Sequence, residues 1–438
     1  MGYGSFGSYR VEVIDRNQNV KAVINDFISL SIIDIANGIG SWSLSSVTDY
    51  HPDFQQGDLI RVFRDGILIY GGVYTQLTEE YQHKYRAWTW RVSGVGLNQF
   101  LKWKLVYPAL NTSVEKKLSN PYLKYNDTDC KTIIERIIAQ NAVYDPDSLR
   151  VPPGFPQVKE ARPIVNGFSG PETDVKLRFE NLYDTVIRLA NLGAITVIPL
   201  ILDDGKVTFG MAQASDLDLS DKVVFDADLD QVISFAHTVR FPDTTDVVEA
   251  YNDENKQVRW FYGARDVLQA YDWVTKGQRY ETFMTPRRED LDDPDGFGDV
   301  TEYYDQYAEE PSQTIPDSEM KRLFDKCAKA DADALEVSTE SYDVTINPLT
   351  SPYIYGYKFR QNGVALETDY WMGAKISVIV EGKQYVGTVS KMEISVSYGN
   401  ETMKASIGGL VRGTFDGVLS NIRHLNRSVN RAGNTEGK

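Results

Sequence analysis

Gly57-Asp-Leu-Ile60-Arg-Val62-Phe-Arg-Asp65-Gly66-Ile-Leu-Ile-Tyr-Gly71-Gly-Val73 returns 316 residues later as Gly373-Ala-Lys-Ile376-Ser-Val378-Ile-Val-Glu381-Gly382-Lys-Gln-Tyr-Val-Gly387-Thr-Val389. No gap is needed, and Gly, Ile, Val, Gly, Gly and Val coincide at six of 17 positions. Chance supplies about one identity at ordinary residue frequencies. Ile60 and Val62 alternate, as do Ile376 and Val378, with the period of a half-buried strand. Asp65-Gly66 and Glu381-Gly382 supply turn chemistry, because Gly reaches positive φ without a Cβ clash. A second strand follows each turn and carries an interior glycine, Gly71 or Gly387, which predicts a bulge or a close backbone approach. Residues 73–81 and 389–397 then read as long strands that turn and return into glycines, Gly94 and Gly96 in one case, Gly408 and Gly409 in the other. One chain thus holds two copies of one β-module, 57–97 and 373–410, with a large insertion between them.

Outward from the repeat, residues 9–13, 27–33 and 42–47 read as strands and complete a first module over 1–105, closed by a short helix at 97–105. Residues 106–222 form a mixed α/β insertion. Its first helix spans 128–140, capped by Asp127 or Thr128, with Ile133, Ile134, Ile137 and Ile138 on one face. A Pro/Gly-rich loop follows over 145–170. A second helix, 182–192, is stopped by Gly193 as a left-handed C′ residue, and a hairpin runs 195–202 to 206–210 through Asp203-Asp204-Gly205. Residues 223–340 carry strands at 223–225, 232–241 and 246–250, an acidic loop and a helix at 318–335. Either these strands complete the first module or that module closes alone. The second module occupies 341–415, and 416–438 is a basic, polar tail. The fold class is mainly β (α+β).

The formal charge of −16 argues against a surface built to grip nucleic acid. Cys130 and Cys327 make no disulfide framework, no apolar run is long enough to span a membrane, and the N-terminus lacks a signal-peptide pattern. His51, His83, His237 and His424 have no metal-ligand spacing, and nucleotide, nucleophile-elbow and Walker motifs are absent. Gly94-x-Gly96 follows a strand but lacks the third glycine. Asp293, Asp295, Gly296, Asp299 and Glu302 match calcium-loop positions counted from Leu291, where a carboxylate is expected, so a solvated acidic loop is the better reading. The expectation is a non-enzymatic protein with no catalytic, cofactor or metal residues.

Trp90-Arg-Val-Ser-Gly94-Val-Gly96-Leu97-Asn-Gln-Phe-Leu101, with Gly57-Asp58-x-Ile60-x-Val62 and Gly66-x4-Gly71-x-Val73 upstream, resembles the tail-tip hub proteins of siphoviruses. Arg178-Phe179-Glu180-Asn181-Leu182, Asp218-Leu219-Ser220 and the 318–335 helix fit the same pattern in order, so the resemblance covers roughly residues 9–412. In plan such proteins are similar to contractile-phage baseplate hubs and the type VI secretion spike base. The resemblance implies two tail-tube-like β-barrel modules per chain, and a homotrimer whose six modules match a sixfold tail tube to a threefold tip. It further implies a virion location at the tail tip after assembly in the host bacterial cytoplasm. Implied partners are a distal tail protein, a tape-measure protein and tip fibre or receptor-binding proteins, and phage DNA passes through without specific binding or any membrane anchor. Relatives that cleave cell walls carry an appended hydrolase, and none is expected in this chain. Net acidity is compatible with a lumen that repels DNA. The competing reading is a distal tail or carbohydrate-binding tail protein, which needs a full lectin-like sandwich in the insertion.

Overall fold

Both repeats turn in the same way. The computed structural model describes residues 7–46, 53–83, 87–107, 123–143, 158–163, 169–177, 179–213, 217–240, 246–253, 256–263, 281–284, 339–357, 368–397 and 400–408. Asp65 and Gly66 take φ of 51° and 80°, and Glu381 and Gly382 take 51° and 72°. Positive φ at both central residues gives the two-residue hairpin turn whose twist matches its flanking strands.

The first copy begins with β1 (Tyr9–Ile14), β2 (Val20–Ile24), β3 (Ser29–Ile35) and β4 (Ser41–Ser46). The repeat itself supplies β5 (Leu59–Arg64), β6 (Ile67–Gln82) and β7 (Ala87–Gly96), then α1 (Gln99–Lys102). Strand β5 is buried on both faces rather than one. Leu59, Ile60 and Val62 are at most 1% exposed, because Leu59 faces the insertion's core while Ile60 and Val62 face the core shared by the copies. Arg61, also buried, bonds Glu12 at 2.7 Å and donates to the Leu202 carbonyl at 3.3 Å.

The insertion contains β8 (Leu123–Asp129), α2 (Cys130–Ile138), β9 (Arg162–Pro163), β10 (Glu172–Leu177), α3 (Leu182–Leu192), β11 (Ile195–Ile201) and β12 (Val207–Gln213). All four predicted isoleucines of α2 are fully buried and pack with Leu182, Val186 and Leu189 of α3. The cap of α2 is Asp129, which accepts from the Thr132 amide at 3.0 Å, rather than Asp127 or Thr128, because β8 continues through both. Gly193 ends α3 at φ −84°, and it is Ala194 that turns left-handed at 49°. A Cβ on Gly193 would come within 2.8 Å of Ile195 and 3.2 Å of Cys130, so this glycine serves close packing.

Next come β13 (Val224–Asp226) and β14 (Val232–Arg240). A separate compact unit, 239–340, contains the antiparallel pair β15 (Asp246–Asp253) and β16 (Lys256–Gly263), with β17 (Glu281–Met284) parallel to β15. The acidic loop, the calcium-loop register, the 318–335 helix, Cys327 and the 416–438 tail lie outside the described residues. The second copy comprises β18 (Thr339–Ile346), β19 (Lys375–Val380), β20 (Lys383–Ser397) and β21 (Asn400–Gly408).

A single sheet runs β14-β18-β21-β20-β3-β4-β7-β6-β5-β1-β2, with β19 on β20 and β13 parallel to β19. Strands β13 and β14, left open as a possible completion of the first module, pair with β19 and β18 of the second copy. Among the described residues neither copy closes into a barrel of its own; the sheet passes from one to the other through β20 and β3. Interior glycines mark close approach, not bulges: a Cβ on Gly71 would meet Leu97 at 2.9 Å, and one on Gly387 the Gly408 backbone at 2.7 Å. Bulges fall between Tyr74 and Gln76 in β6 and between Val389 and Lys391 in β20, and the first hairpin alone has a further one at Ile69, opposite Val62 and Phe63. Each of the first two lets one long strand bend away from its short partner.

Candidate functional site

Two features stand out where the copies meet: a joint and a polar trough. The joint begins at β20–β3, where Lys391 to Ser397 pair with Ile35 to Ser29 in antiparallel register. At its end the Asp34 carboxylate turns inward between the two copies. It accepts from the Tyr355 hydroxyl at 3.1 Å and lies 3.5 Å from that of Tyr357. Tyr70, from β6, completes the cluster with its hydroxyl buried and unpartnered. Burial pushes the Asp34 carboxyl up to about 6, although Tyr355, the Ile35 amide and Tyr357 all favour its charged form. Among the described residues no lysine, arginine or histidine lines the small cavity there, of about 20 Å³, which could hold one water.

The turn after β3 ties the joint to the insertion. Asn37 donates to the Ile195 carbonyl at 3.0 Å and accepts from the Val197 amide at 2.8 Å. Tyr183 of α3 donates to the Asn37 carbonyl at 3.0 Å. Away from the turn, Arg64 of β5 grips Glu401 of β21, Nε to Oε1 at 2.6 Å and Nη2 to Oε2 at 3.2 Å. The Glu401 side chain is fully buried, and Tyr9 also donates to it. Hydrogen bonds and charge attraction from Glu401 overcome the desolvation of Arg64, so its guanidinium is held even more firmly protonated than usual.

The trough is the opposite face of the same strands. Leu30, Ile32, Trp42, Leu44, Val92, Met392 and Ile394 point to the core, so alternation sends the residues between them outward. Those are Ser29, Ser31 and Ile33 on β3, Ser41, Ser43 and Ser45 on β4, and Thr89, Arg91 and Ser93 on β7, with Gln76, Thr78 and Glu80 on β6, while Ile28, Trp42 and Trp90 also border the space. These strands line a trough of about 790 Å³. By the same alternation the face continues through Lys391, Glu393 and Ser395 of β20 and Lys404 and Ser406 of β21 to Asp343 and Thr345 of β18. Its hydroxyls touch one another: Ser29 and Ser45 at 2.6 Å, Ser234 and Thr345 at 2.8 Å. Its cations sit beside carboxylates. Lys391 pairs with Glu393, Lys404 with Asp343 at 2.9 Å, and Arg91 lies diagonal to Glu80 across β6–β7. Burial alone would lift the Asp343 carboxyl, but hydrogen bonds from Ser406 and Lys404 outweigh it and hold it low.

The chemistry weighed from sequence alone finds other uses. Gly94 lies where a Cβ would strike the Val73 carbonyl at 1.9 Å and the Trp42 indole at 2.5 Å, so it makes room for that ring. Among the described residues no cluster of His, Cys, Asp or Glu could hold a metal, and no helix is long and apolar enough to cross a membrane. The trough was not anticipated, yet its signal is visible in Ser29-x-Ser31 and Ser41-x-Ser43-x-Ser45, small polar residues at period two.

The fold is similar to that of the tail protein from Neisseria meningitidis MC58, at TM-score 0.51 and 12% identity over 92% of this chain and 97% of that one. Other matches are the 43 kDa tail protein of prophage MuSo2 from Shewanella oneidensis (TM-score 0.48, 12% identity, 91% and 97% covered) and prophage tail protein gp18 from Listeria monocytogenes EGD-e (0.45, 10%, 95% and 99%). No curated protein sequence matches. The Siphovirus ReqiPepy6 Gp37-like family model matches residues 10–409, and the chain belongs to that family.

Proposed function

We propose that this chain is the trimeric hub of a long-tailed phage's tail tip, joining the sixfold tail tube to the threefold tip and forming part of the DNA ejection channel. The observation that carries this reading is the β20–β3 join. Two copies of one meander sit in a single chain, and the second hands its sheet to the first by plain antiparallel pairing. Three such chains present six equivalent modules, so the duplication resolves the mismatch of symmetries. The hydroxyl-rich trough, continuous across the join, then forms the channel wall. On this reading each copy is a tail-tube-like barrel module completed in the assembly, and 106–222 is an insertion domain decorating the ring. The distal tail protein, the tape-measure protein and tip fibres or receptor-binding proteins are its neighbours, and the role is structural rather than enzymatic.

Light scattering on the purified chain tests this. A mass three times that of one chain is expected, with six modules around a central opening by electron microscopy. A species that stays monomeric at every concentration, or one that lyses host cell walls, overturns the reading.

A further inference from the structure

We infer that β14 of one chain adds, antiparallel, to the free edge of the distal half of β6 in the next, in a register that places Tyr81 opposite Phe235 and Glu79 opposite His237. The inference rests on the trimeric reading above and supplies the contact which that reading needs.

The argument is a transfer of one observed join onto its vacant equivalent. In the first copy β3 neighbours β4, β4 neighbours β7 and β7 neighbours β6; in the second, β14, β18, β21 and β20 follow in the same order. Residues correspond as well. Ser29 and Ser45 touch through their hydroxyls, and so do Ser234 and Thr345, which aligns β3 with β14 and β4 with β18. Leu30 then corresponds to Phe235, Ser31 to Ala236 and Ile32 to His237. The bulges, at Thr75 in β6 and Ser390 in β20, align the long strands beyond them, so Met392 corresponds to Leu77, Ile394 to Glu79 and Val396 to Tyr81.

Within the chain, β3 fills the edge of β20 beyond β19, pairing Val396 with Leu30, Ser395 with Ser31 and Ile394 with Ile32. The equivalent edge of β6, beyond β5, has no strand on it among the described residues, because β5 ends its pairing at Val73. Strand β14 in turn is the last in the sheet. Among the described residues a chain therefore offers an acceptor edge on β6 and a donor strand in β14, and the join it makes internally fits both. These edges are heterologous, which is the kind of contact that closes a ring.

Side chains agree with this. Leu30 and Ile32, covered by β20, are at most 1% exposed, whereas their counterparts on β14, Phe235 and His237, are half-buried and exposed, and Tyr81 on β6 is 46% exposed. Phe235 stacks on Tyr342 with centroids 5.8 Å apart, His237 lies 5.0 Å from the same ring, and Tyr81 rests on Trp88 at 5.3 Å. Docking brings these aromatic clusters together and sets a carboxylate against an imidazole. On the trough side Glu80 meets Ala236 and Thr78 meets Thr238, so the hydroxyl face runs on into the next chain.

Cysteine cross-linking of the full chain tests this. Glu80→Cys with Ala236→Cys copies the positions of Ser395 and Ser31, so Ser395→Cys with Ser31→Cys is the internal control and must give a bond within one chain. Under mild oxidation the first pair is expected to give interchain disulfides, at least about tenfold above the slipped pairs Glu80→Cys/Ser234→Cys and Glu80→Cys/Thr238→Cys, whose Cα atoms lie too far apart in this register. Single variants account for Cys130 and Cys327. Stronger cross-linking of a slipped pair overturns the register. A trimer by light scattering with no interchain bond in any pair overturns the edge pairing and leaves the hub reading standing. A chain that is monomeric throughout overturns both.

Discussion

Asp34 is the residue most out of keeping with its surroundings. Its carboxylate sits among tyrosines, with no cation lining its cavity among the described residues, and its raised value, about 6 against the usual 3.8, reflects burial first. A carboxyl raised in the folded state stabilises fully below its unfolded value, and that contribution disappears as pH climbs through about 6. Ionisation therefore costs roughly 3 kcal/mol at neutral pH. Asp34→Asn should raise the melting temperature at pH 8 and leave it unchanged near pH 4; parallel Tm-against-pH curves for the two proteins would refute the assignment. Arg64 and Glu401 present the opposite case, a buried pair with every strong donor engaged. Arg64→Met strands the Glu401 carboxylate and should cost about 3–5 kcal/mol in urea unfolding. A loss below about 1 kcal/mol would mean the pair behaves as a surface one.

At the scale of elements, the repeat's turns are the simplest features to test. Gly66 and Gly382 have φ of +80° and +72°, with nothing within 4 Å of an added Cβ. Backbone strain alone is at stake, so Gly66→Ala and Gly382→Ala should each cost about 1 kcal/mol, and by similar amounts. A large difference in denaturant midpoint between them would show that the two turns are not equivalent. Much of this level is legible in the chain: glycine spacing marks both hairpins, and α3 runs from Leu182 to Leu192 as its periodicity says. What escaped has physical reasons. Strand β2 is short, and the exposed Val20 and Val23 are as apolar as the inward Ala22 and Ile24, so its alternation is hidden. Gly193 looks like a left-handed stop, but it makes room for the Ile195 side chain and for Cys130, 63 positions away in sequence. Strands β13 and β14 join the second copy through pairings that no local pattern specifies. The serine rows of β3 and β4 are plain in the sequence. That they form one surface with β20 depends on a register between residues more than 350 apart.

For the whole molecule, charge placement matters more than charge total. The chain carries −16, which suggests a wall that repels DNA. The trough is instead balanced: Lys391, Lys404 and Arg91 each have a carboxylate beside them, set in a field of hydroxyls. A duplex sliding along such a face meets no row of bare cations to hold its phosphates and no block of like charge to stall it. Neutrality of this kind can be removed without touching the core, because Asp343 and Glu393 both lie on the outward face. Asp343→Asn together with Glu393→Gln leaves Lys404 and Lys391 without their partners. The double variant should bind labelled duplex DNA in fluorescence anisotropy at low salt, with log affinity falling against log salt at a slope of about −2 per chain engaged. The unmodified protein should give no change in anisotropy under the same conditions. If it binds as well as the variant, the paired charges do not govern passage. If neither binds, the lysines do not face the DNA path, and the trough is not the wall of the channel.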